Sequence, residues 1–410
     1  MTPYSSQISP NEIRSGSPLT SDVFVGREQE IATLRADLDD ACAGHGRLVL
    51  LVGDAGIGKT RTAHELAAYA LTQGARVFTG RCYEGEGAPP FWPWVQIVRT
   101  YLHDCDLGAL HANMGAGAVD IAQVIPEVRE RLPRLPAPLP LESKHIRFRF
   151  FDSYTTFLKN VARTRPLVLI LDDLHWADAS SLLLLQFLVR ELGDAPLLVV
   201  GTYRDVTSEL HHPLRQTLGE LVRAERSQTI ELRGLTEREV ASFIHNTTGL
   251  SPDVNLLAAV HQQTEGNPFF LTEVVRLLAG EGQQAQLSTS QSVHPLPIPQ
   301  RVYDMLSRRL TSLSEDCLRV LTLASVIGRG FTFEVLTRAS NFPRTQLLRA
   351  LEEALIARII TDDRQAIGSY SFSHALMCET LYKELTLTQR VTFHRAIGEA
   401  LENLRDAYPQ

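Results

Sequence analysis

Eight consecutive residues, Gly53-Asp54-Ala55-Gly56-Ile57-Gly58-Lys59-Thr60, have the spacing G-x-x-x-x-G-K-[ST]. Such a loop serves phosphate chemistry when it joins an apolar strand to a helix. Its glycines let backbone N–H groups face phosphate oxygens, the lysine balances the β- and γ-phosphate charge, and the Ser/Thr hydroxyl ligates magnesium. Both flanks are present here: the apolar run 48–52 before the loop and the helical pattern 60–73 after it. Lys59 is therefore expected on the phosphates and Thr60 on Mg²⁺. Gly53, Asp54, Ala55, Gly56, Ile57 and Gly58, with Arg61 just beyond, are expected around ATP or ADP. A second apolar run, 167–171, ends in the carboxylates Asp172 and Asp173. Acids at such a strand tip lie at the carboxyl edge of a parallel sheet, beside the phosphates. Asp172 is expected to hold Mg²⁺ through its water shell, and Asp173 to orient or deprotonate the attacking water. A third run, 196–201, leads into Thr202-Tyr203-Arg204. A cation there is either a γ-phosphate sensor or a surface ion-pair partner, and the pattern alone does not choose.

These groups need a scaffold that brings strand tips together. The strand-like runs 47–52, 76–80, 167–171, 196–201 and 228–232 alternate with helical patterns at 60–73, 143–162 and 180–192. Apolar strands alternating with helices predict an α/β fold, a P-loop NTPase parallel sheet with helices on both faces. The Pro-rich stretch 133–140 reads as an irregular connection inside that domain. From 235 onward the strands stop. Thr236-Glu237-Arg238-Glu239 has capping-box spacing and predicts a helix start. Helical patterns run to about 280, and 282–299 is polar and then Pro-rich. Three helices and a hairpin around Asp362-Asp363-Arg364-Gln365 then suggest a winged helix, and helices return from 374 to about 404. The expected division is a flexible tail 1–22, the NTPase domain 23–234, a helical domain 235–282, a linker 283–299, a winged helix 300–373, and from 374 to 410 the start of a helical sensor or connector region.

Bulk properties narrow the partners. The 410 residues carry 40 Lys+Arg against 47 Asp+Glu, a net charge of −7. That charge supplies no electrostatic ground for nucleic-acid or membrane binding by this chain. The five cysteines form no CxxC pair, so reduced thiols in a cytosol are expected. Residues 1–22 lack the basic and apolar regions of a signal peptide. The apolar stretch 182–189 is broken by Gln186 and is too short to span a bilayer. A cytoplasmic location follows as the expectation. Phe91-Trp92-Pro93-Trp94 reads as an anchor of a loop on the core, and Trp176 as packing under the helix that follows it. His175 either shapes the catalytic edge or caps a turn.

Several ordered motifs resemble one family. Leu171-Asp172-Asp173-Leu174-His175-Trp176-Ala177-Asp178, Gly201-Thr202-Tyr203-Arg204 and Gly266-Asn267-Pro268-Phe269-Phe270 resemble the STAND NTPases, signal-transduction ATPases with numerous domains. The resemblance is to the bacterial branch found in large LuxR-type regulators and beside adenylyl-cyclase and kinase modules. Phe24-Val25-Gly26-Arg27-Glu28 is similar to the family's entry motif, so Val25, Gly26 and Arg27 are implied near the adenine. The resemblance covers about 23–404. It implies that Arg204 is the sensor arginine and that Pro268 packs against adenine from the helical domain. His374, within Phe372-Ser373-His374-Ala375-Leu376, matches a histidine that contacts the β-phosphate of ADP in related apoptosome and plant resistance proteins; a cap or packing histidine is the other reading. The implied activity is slow ATP hydrolysis in a switch, closed with ADP and open and self-associating with ATP. The implied effector and repeat sensor would lie outside this chain. Three alternatives stand beside it. An AAA-type remodelling ATPase would need a trans arginine finger and a pore loop, and neither is identifiable. A winged-helix DNA-binding regulator would need a basic recognition surface, yet Arg301, Arg308, Arg309, Arg319 and Arg329 are scattered among acids. The third is the regulatory part of a larger enzyme such as a cyclase or kinase, and no cyclase, kinase or LuxR-type helix-turn-helix signature appears within these residues.

Overall fold

Strands that are apolar at every position must be covered on both faces, and this requirement organises the first part of the chain. The computed structural model describes residues 23–83, 89–137, 143–204, 213–249, 251–280, 299–311, 313–340, 342–357, 359–362 and 368–407. The predicted tail 1–22, most of the 282–299 linker, residues 138–140 of the Pro-rich stretch and positions 363–365 of the predicted hairpin turn lie outside them. The chain forms two compact units, with boundaries at 25/26 and 233/234.

In the first unit, β1 (Arg47–Val52), β2 (Arg76–Arg81), β3 (Leu167–Asp172), β4 (Leu197–Tyr203) and β5 (Ser227–Glu231) form one sheet in the order β2-β3-β4-β1-β5. Every pairing is parallel. Side chains alternate between two cores, as the period of two in a strand dictates. Leu48, Leu50, Leu169, Leu171, Leu197 and Val199 point to one core, with Trp94, Tyr154, Phe157 and Leu185 from the covering helices. Val49, Leu51, Val168, Ile170, Leu198 and Val200 point to the other, with Leu34 and Leu38 of the helix Glu28–Cys42 and Ala63 and Leu66 of the helix Lys59–Thr72. Full burial of each such side chain contributes about 1.5–3 kcal/mol. The alternating run therefore holds the sheet centrally and leaves its carboxyl edge for polar residues.

Between β2 and β3 the chain forms the helices Trp92–Asp104, Leu107–Met114, Ala118–Val124, Glu127–Arg131 and Ser143–Thr164. The aromatic–proline cluster opens this segment and anchors it. Trp94 is buried, donates from its indole to the Ser181 carbonyl at 3.1 Å, and meets Tyr154 edge to face. Trp176 departs from expectation. It is 39% exposed, whereas the neighbouring His175 is buried. The turn Leu174–Trp176 is a single 3₁₀ turn whose first two side chains, Leu174 and His175, are buried and whose third, Trp176, is turned outward.

In the second unit, the helices Glu237–Thr248, Val254–Thr264 and Pro268–Gly280 enclose Val240, Phe243, Ile244, Val260, Leu271 and Val274. The capping box forms as predicted: the Glu239 amide donates to Thr236 Oγ1 at 3.4 Å, and the Thr236 amide donates to Glu239 Oε2 at 2.6 Å. Farther on, β6 (Gly330–Thr332), β7 (Ile360–Asp362) and β8 (Ser369–Phe372) pair antiparallel in the order β6-β8-β7. They pack with the helices Gln300–Leu310, Glu315–Ile327, Phe333–Ala339 and Arg344–Ile356 around Val302, Leu321, Leu336 and Leu351. Among its described residues the segment thus has four helices and three strands where the sequence predicts three helices and two strands. Three residues are too few for β6 to register as an alternating pattern. Phe270 joins this core while Leu271 and Val274 join the other, so the helix Pro268–Gly280 serves both.

Candidate functional site

The phosphate-type loop sits where β1 ends and the helix Lys59–Thr72 begins. Gly56 and Gly58 have φ of 79° and 100°, values that a Cβ would strain, and this is the physical reason for glycine in the pattern. The first-turn N–H groups of the helix have no partner within the helix, so they face the loop as an anion-binding end. Lys59 is buried, and its Nζ donates to the carbonyls of Gly53 at 2.9 Å and Asp54 at 2.8 Å. Burial lowers its pKa to about 8, helped by the Arg204 charge and opposed by Asp173, Asp54 and Asp172.

The carboxylates come from β3, which is not adjacent to β1; β4 lies between them. Asp172 is buried and its Oδ1 accepts two hydroxyl protons, from Thr60 at 2.9 Å and from Thr202 at 2.6 Å. Asp173 follows with φ of 60°, a left-handed conformation that turns its side chain away from the strand direction. Its backbone N–H donates to Thr202 Oγ1 at 2.9 Å. Its carboxyl pKa is raised by burial and by Asp172, and held down by Arg81 and Arg204. Arg81, at the tip of β2, reaches Asp173 Oδ2 at 3.3 Å and lies 3.9 Å from Asp172 Oδ2. The structure thus gathers Lys59, Thr60, Asp172 and Asp173 at one edge of the sheet, with the Arg204 charge bearing on Lys59 and Asp173. Arg61 instead pairs with Glu65 at 2.6 Å on its own helix.

Two participants are not among the predicted site residues. Thr202 is a polar residue ending an otherwise apolar run, which is a readable signal. Arg81 follows Gly80 at a strand tip, a weak one. Arg81 carries an expected outcome. Arg81→Ala removes the attraction that keeps Asp173 ionised, so the Asp173 pKa should rise further. If the carboxylate is the working form, the acid limb of the pH–rate profile should move to higher pH, and the rate at high pH should be retained. An unmoved acid limb would separate Asp173 from that titration.

Arg27 is a buried residue at the start of the unit. Its guanidinium donates to the Ile57 carbonyl of the loop at 3.2 Å and to the Arg233 carbonyl, and pairs with Glu30 at 3.0 Å. It therefore ties the loop to the end of the sheet. Val25 packs in the second unit, on the core that contains Leu235 and Val240. Pro268 and His374 also belong to the second unit. Pro268 opens its helix after Gly266, whose φ is 68° and whose absent Cβ would stand 2.0 Å from the Leu235 carbonyl oxygen. Only glycine admits the hydrogen bond from the Leu235 amide to the Gly266 carbonyl at 2.8 Å. His374 caps the helix Ala375–Glu384: its Nδ1 accepts from the Leu376 amide at 3.2 Å, so Nε2 is the donor to the Thr264 carbonyl at 3.1 Å. Beside it, Glu265 accepts from the Ala375 amide at 2.8 Å and pairs with Arg329 at 2.7 Å.

Among the described residues no cluster of three His, Cys, Asp or Glu side chains is arranged to hold a metal, and no helix is long and apolar enough to cross a membrane. The family description "AAA ATPase domain" matches residues 23–200. The uncharacterized protein R02095 of Rhizobium meliloti (strain 1021) is 25% identical over 414 residues, covering 96% of this chain and 38% of that protein. The peroxide stress-activated histidine kinase mak2 of Schizosaccharomyces pombe is 22% identical over 280 residues, covering 64% of this chain and 12% of that one. The chain thus spans well under half the length of these curated relatives. Among solved structures, the Aeropyrum pernix ORC2 protein, in ADPNP–ADP complexes, aligns with a TM-score of 0.52 at 14% identity over 94% of this chain and 98% of that one. At that identity the likeness is one of fold, the P-loop NTPase fold.

Proposed function

Proceeding from an AAA ATPase domain as premise, we propose that this chain is an ATP-operated signalling switch of the STAND class. The observation that carries the nucleotide reading is the gathering of Lys59, Thr60, Asp172 and Asp173 at the carboxyl edge of the sheet. Lys59 and the loop amides bind the phosphates, Arg204 senses the γ-phosphate, and Asp173 orients the attacking water or accepts its proton. Val25, Gly26, Arg27 and Pro268 are the proposed adenine surround. The donors for Mg²⁺ are a hydroxyl and a carboxylate, Thr60 Oγ1 and Asp172 Oδ1, 2.9 Å apart. Such hard oxygens suit an ion that keeps most of its waters and shares substrate phosphates, and no all-protein cage is required. When bound, the ion would neutralise phosphate charge.

The signalling reading is supported by the ordered motifs at 24–28, 171–178, 201–204 and 266–270, and by the histidine kinase among the relatives. In it, ADP holds a closed arrangement, ATP favours an open and self-associating one, and slow hydrolysis resets the cycle. Only a γ-phosphate that contacts one arrangement better than the other can shift their populations. His374 is the proposed ADP contact. To reach a phosphate, its Nε2 must release the Thr264 carbonyl, so nucleotide and that carbonyl compete for one donor.

Light scattering of the chain with ADP, ATP and a non-hydrolysable ATP analogue tests this. The expected result is a larger species with the analogue than with ADP, and a stronger bias toward it in His374→Ala. One size in all three, with nucleotide occupancy verified, would remove the switch and leave an ATPase.

A further inference from the structure

One hydroxyl touches both acidic residues of the site, the carboxylate of Asp172 and the backbone N–H of Asp173. Thr202 lies at the end of β4 with no exposed surface. Its Oγ1 has a single proton. The Asp173 amide is a donor and cannot accept it, so the proton goes to Asp172 Oδ1 at 2.6 Å, while an oxygen lone pair accepts from the Asp173 amide at 2.9 Å. The direction of both bonds is therefore forced. The strand order makes this geometry available: β4 lies between β1 and β3, so its tip stands between the phosphate-type loop and the two acids. Gly201, the preceding residue, lies close against Leu174 and Leu50 side chains, where a Cβ would stand 2.6 and 2.9 Å from their methyl carbons. That contact seats the tip of β4 tightly against both neighbours.

We infer that Thr202 is a positioning residue, whose hydroxyl sets the Asp172 carboxylate directly and the Asp173 carboxylate through its backbone. The inference rests on the nucleotide reading of the site. Thr60 donates to the same Asp172 oxygen at 2.9 Å, but it is itself a proposed ligand of magnesium and is available for that role. Thr202 is sealed from solvent and has no other acceptor for its proton among the hydrogen bonds of the site. It keeps Asp172 Oδ1 engaged from the protein side, which leaves the carboxylate one defined orientation toward the loop. It also holds the Asp173 amide where φ is 60°. Without that bond a left-handed non-glycine residue has less to retain it. The two acids thus share one support.

The test compares Thr202→Val, which keeps the shape and removes the hydroxyl, with Thr202→Ser, which restores the hydroxyl. ATP binding is measured by calorimetry with and without magnesium, and hydrolysis and melting temperature are measured on the same samples. Residues that orient metal-binding groups typically change metal affinity or activity by about 10–100-fold when removed. Thr202→Val should accordingly bind metal-free ATP within about threefold of wild type. It should lose about tenfold or more of the tightening that magnesium brings, and lose kcat by about 10–100-fold with KM little changed. Thr202→Ser should recover both. A Thr202→Val protein with the wild-type magnesium response overturns the inference. So does a Thr202→Ser protein as impaired as the valine variant with a lowered melting temperature, because the methyl group's packing would then be the cause. A wild-type chain that binds no ATP under either condition would overturn the nucleotide reading itself, and this inference with it.

Discussion

Lys59→Ala should reduce ATP affinity by about a hundredfold or more. The side chain is buried beside the loop, and its ammonium donates to the Gly53 and Asp54 carbonyls. Those bonds hold Nζ in the loop, and neutral carbonyls leave its charge uncompensated. A charge-assisted hydrogen bond contributes about 1.5–3 kcal/mol, and an ammonium over a triphosphate makes more than one. About 3 kcal/mol corresponds to a factor above a hundred in Kd. The pH dependence follows from the same residue. Burial and the Arg204 charge bring Lys59 to about 8. Arriving phosphates favour the charged form and raise its pKa, so binding takes up a proton at pH above about 8. Wild-type affinity should therefore be at its full value below pH 8 and fall as pH climbs past it, and the alanine variant should lack that decline. Calorimetry across pH 7 to 9.5 reads both effects. Unchanged affinity in Lys59→Ala would mean that the loop does not hold the phosphates.

The readable and unreadable parts of this site differ in how their residues are distributed along the chain. The phosphate-type loop is legible because its chemistry needs contiguous residues: glycines for the turn, a lysine and a threonine at the helix start. Asp172 and Asp173 are legible because an apolar run that ends in acids places them at a strand tip. Thr202 and Arg81 come from other strands, and their relevance depends on strand order, which local periodicity does not encode. The sequence order β1, β2, β3, β4 becomes the spatial order β2-β3-β4-β1, and only then does the tip of β4 stand beside Asp172. The same limit applies to the fold. The three central strands of the parallel sheet, β1, β3 and β4, announce themselves by runs of Val, Leu and Ile, and the helix after Thr236 by its capping box. The helices between 92 and 131 are short, three of them under nine residues, so too few turns repeat for a 3.6-residue pattern to stand out. Trp176 was open to misreading for a related reason. Hydrophobicity says that one of the pair His175-Trp176 should be buried, but the 3₁₀ turn decides which, and it buries the histidine.

Asp173→Asn should keep ATP binding and slow hydrolysis by about 10²–10⁴-fold, the usual share of a positioned acid or base. The variant is a clean probe because of the backbone. Asp173 has φ of 60°, and asparagine is among the few residues that accept the left-handed region readily. Its amide therefore continues to donate to Thr202 Oγ1, and the strand tip keeps its shape. What changes is charge and basicity. In the wild type, burial and the adjacent Asp172 raise the carboxyl pKa, while Arg81 and Arg204 restrain the rise. A carboxyl so placed takes a proton more readily than an ordinary aspartate, which suits a group that must draw one from water. Asparagine can still accept a hydrogen bond from water but cannot take the proton. Asp172→Asn should fail differently. Its Oδ1 can still accept from Thr60 and Thr202, so the geometry survives while the negative charge near the metal donors is lost. The expected result is a higher magnesium requirement, with partial recovery of turnover at high magnesium. Measuring turnover against magnesium concentration for both variants separates the roles: Asp173→Asn should stay slow at every concentration, and Asp172→Asn should climb. If Asp173→Asn turns over at the wild-type rate, another group positions the water, and the two acids are not divided as argued.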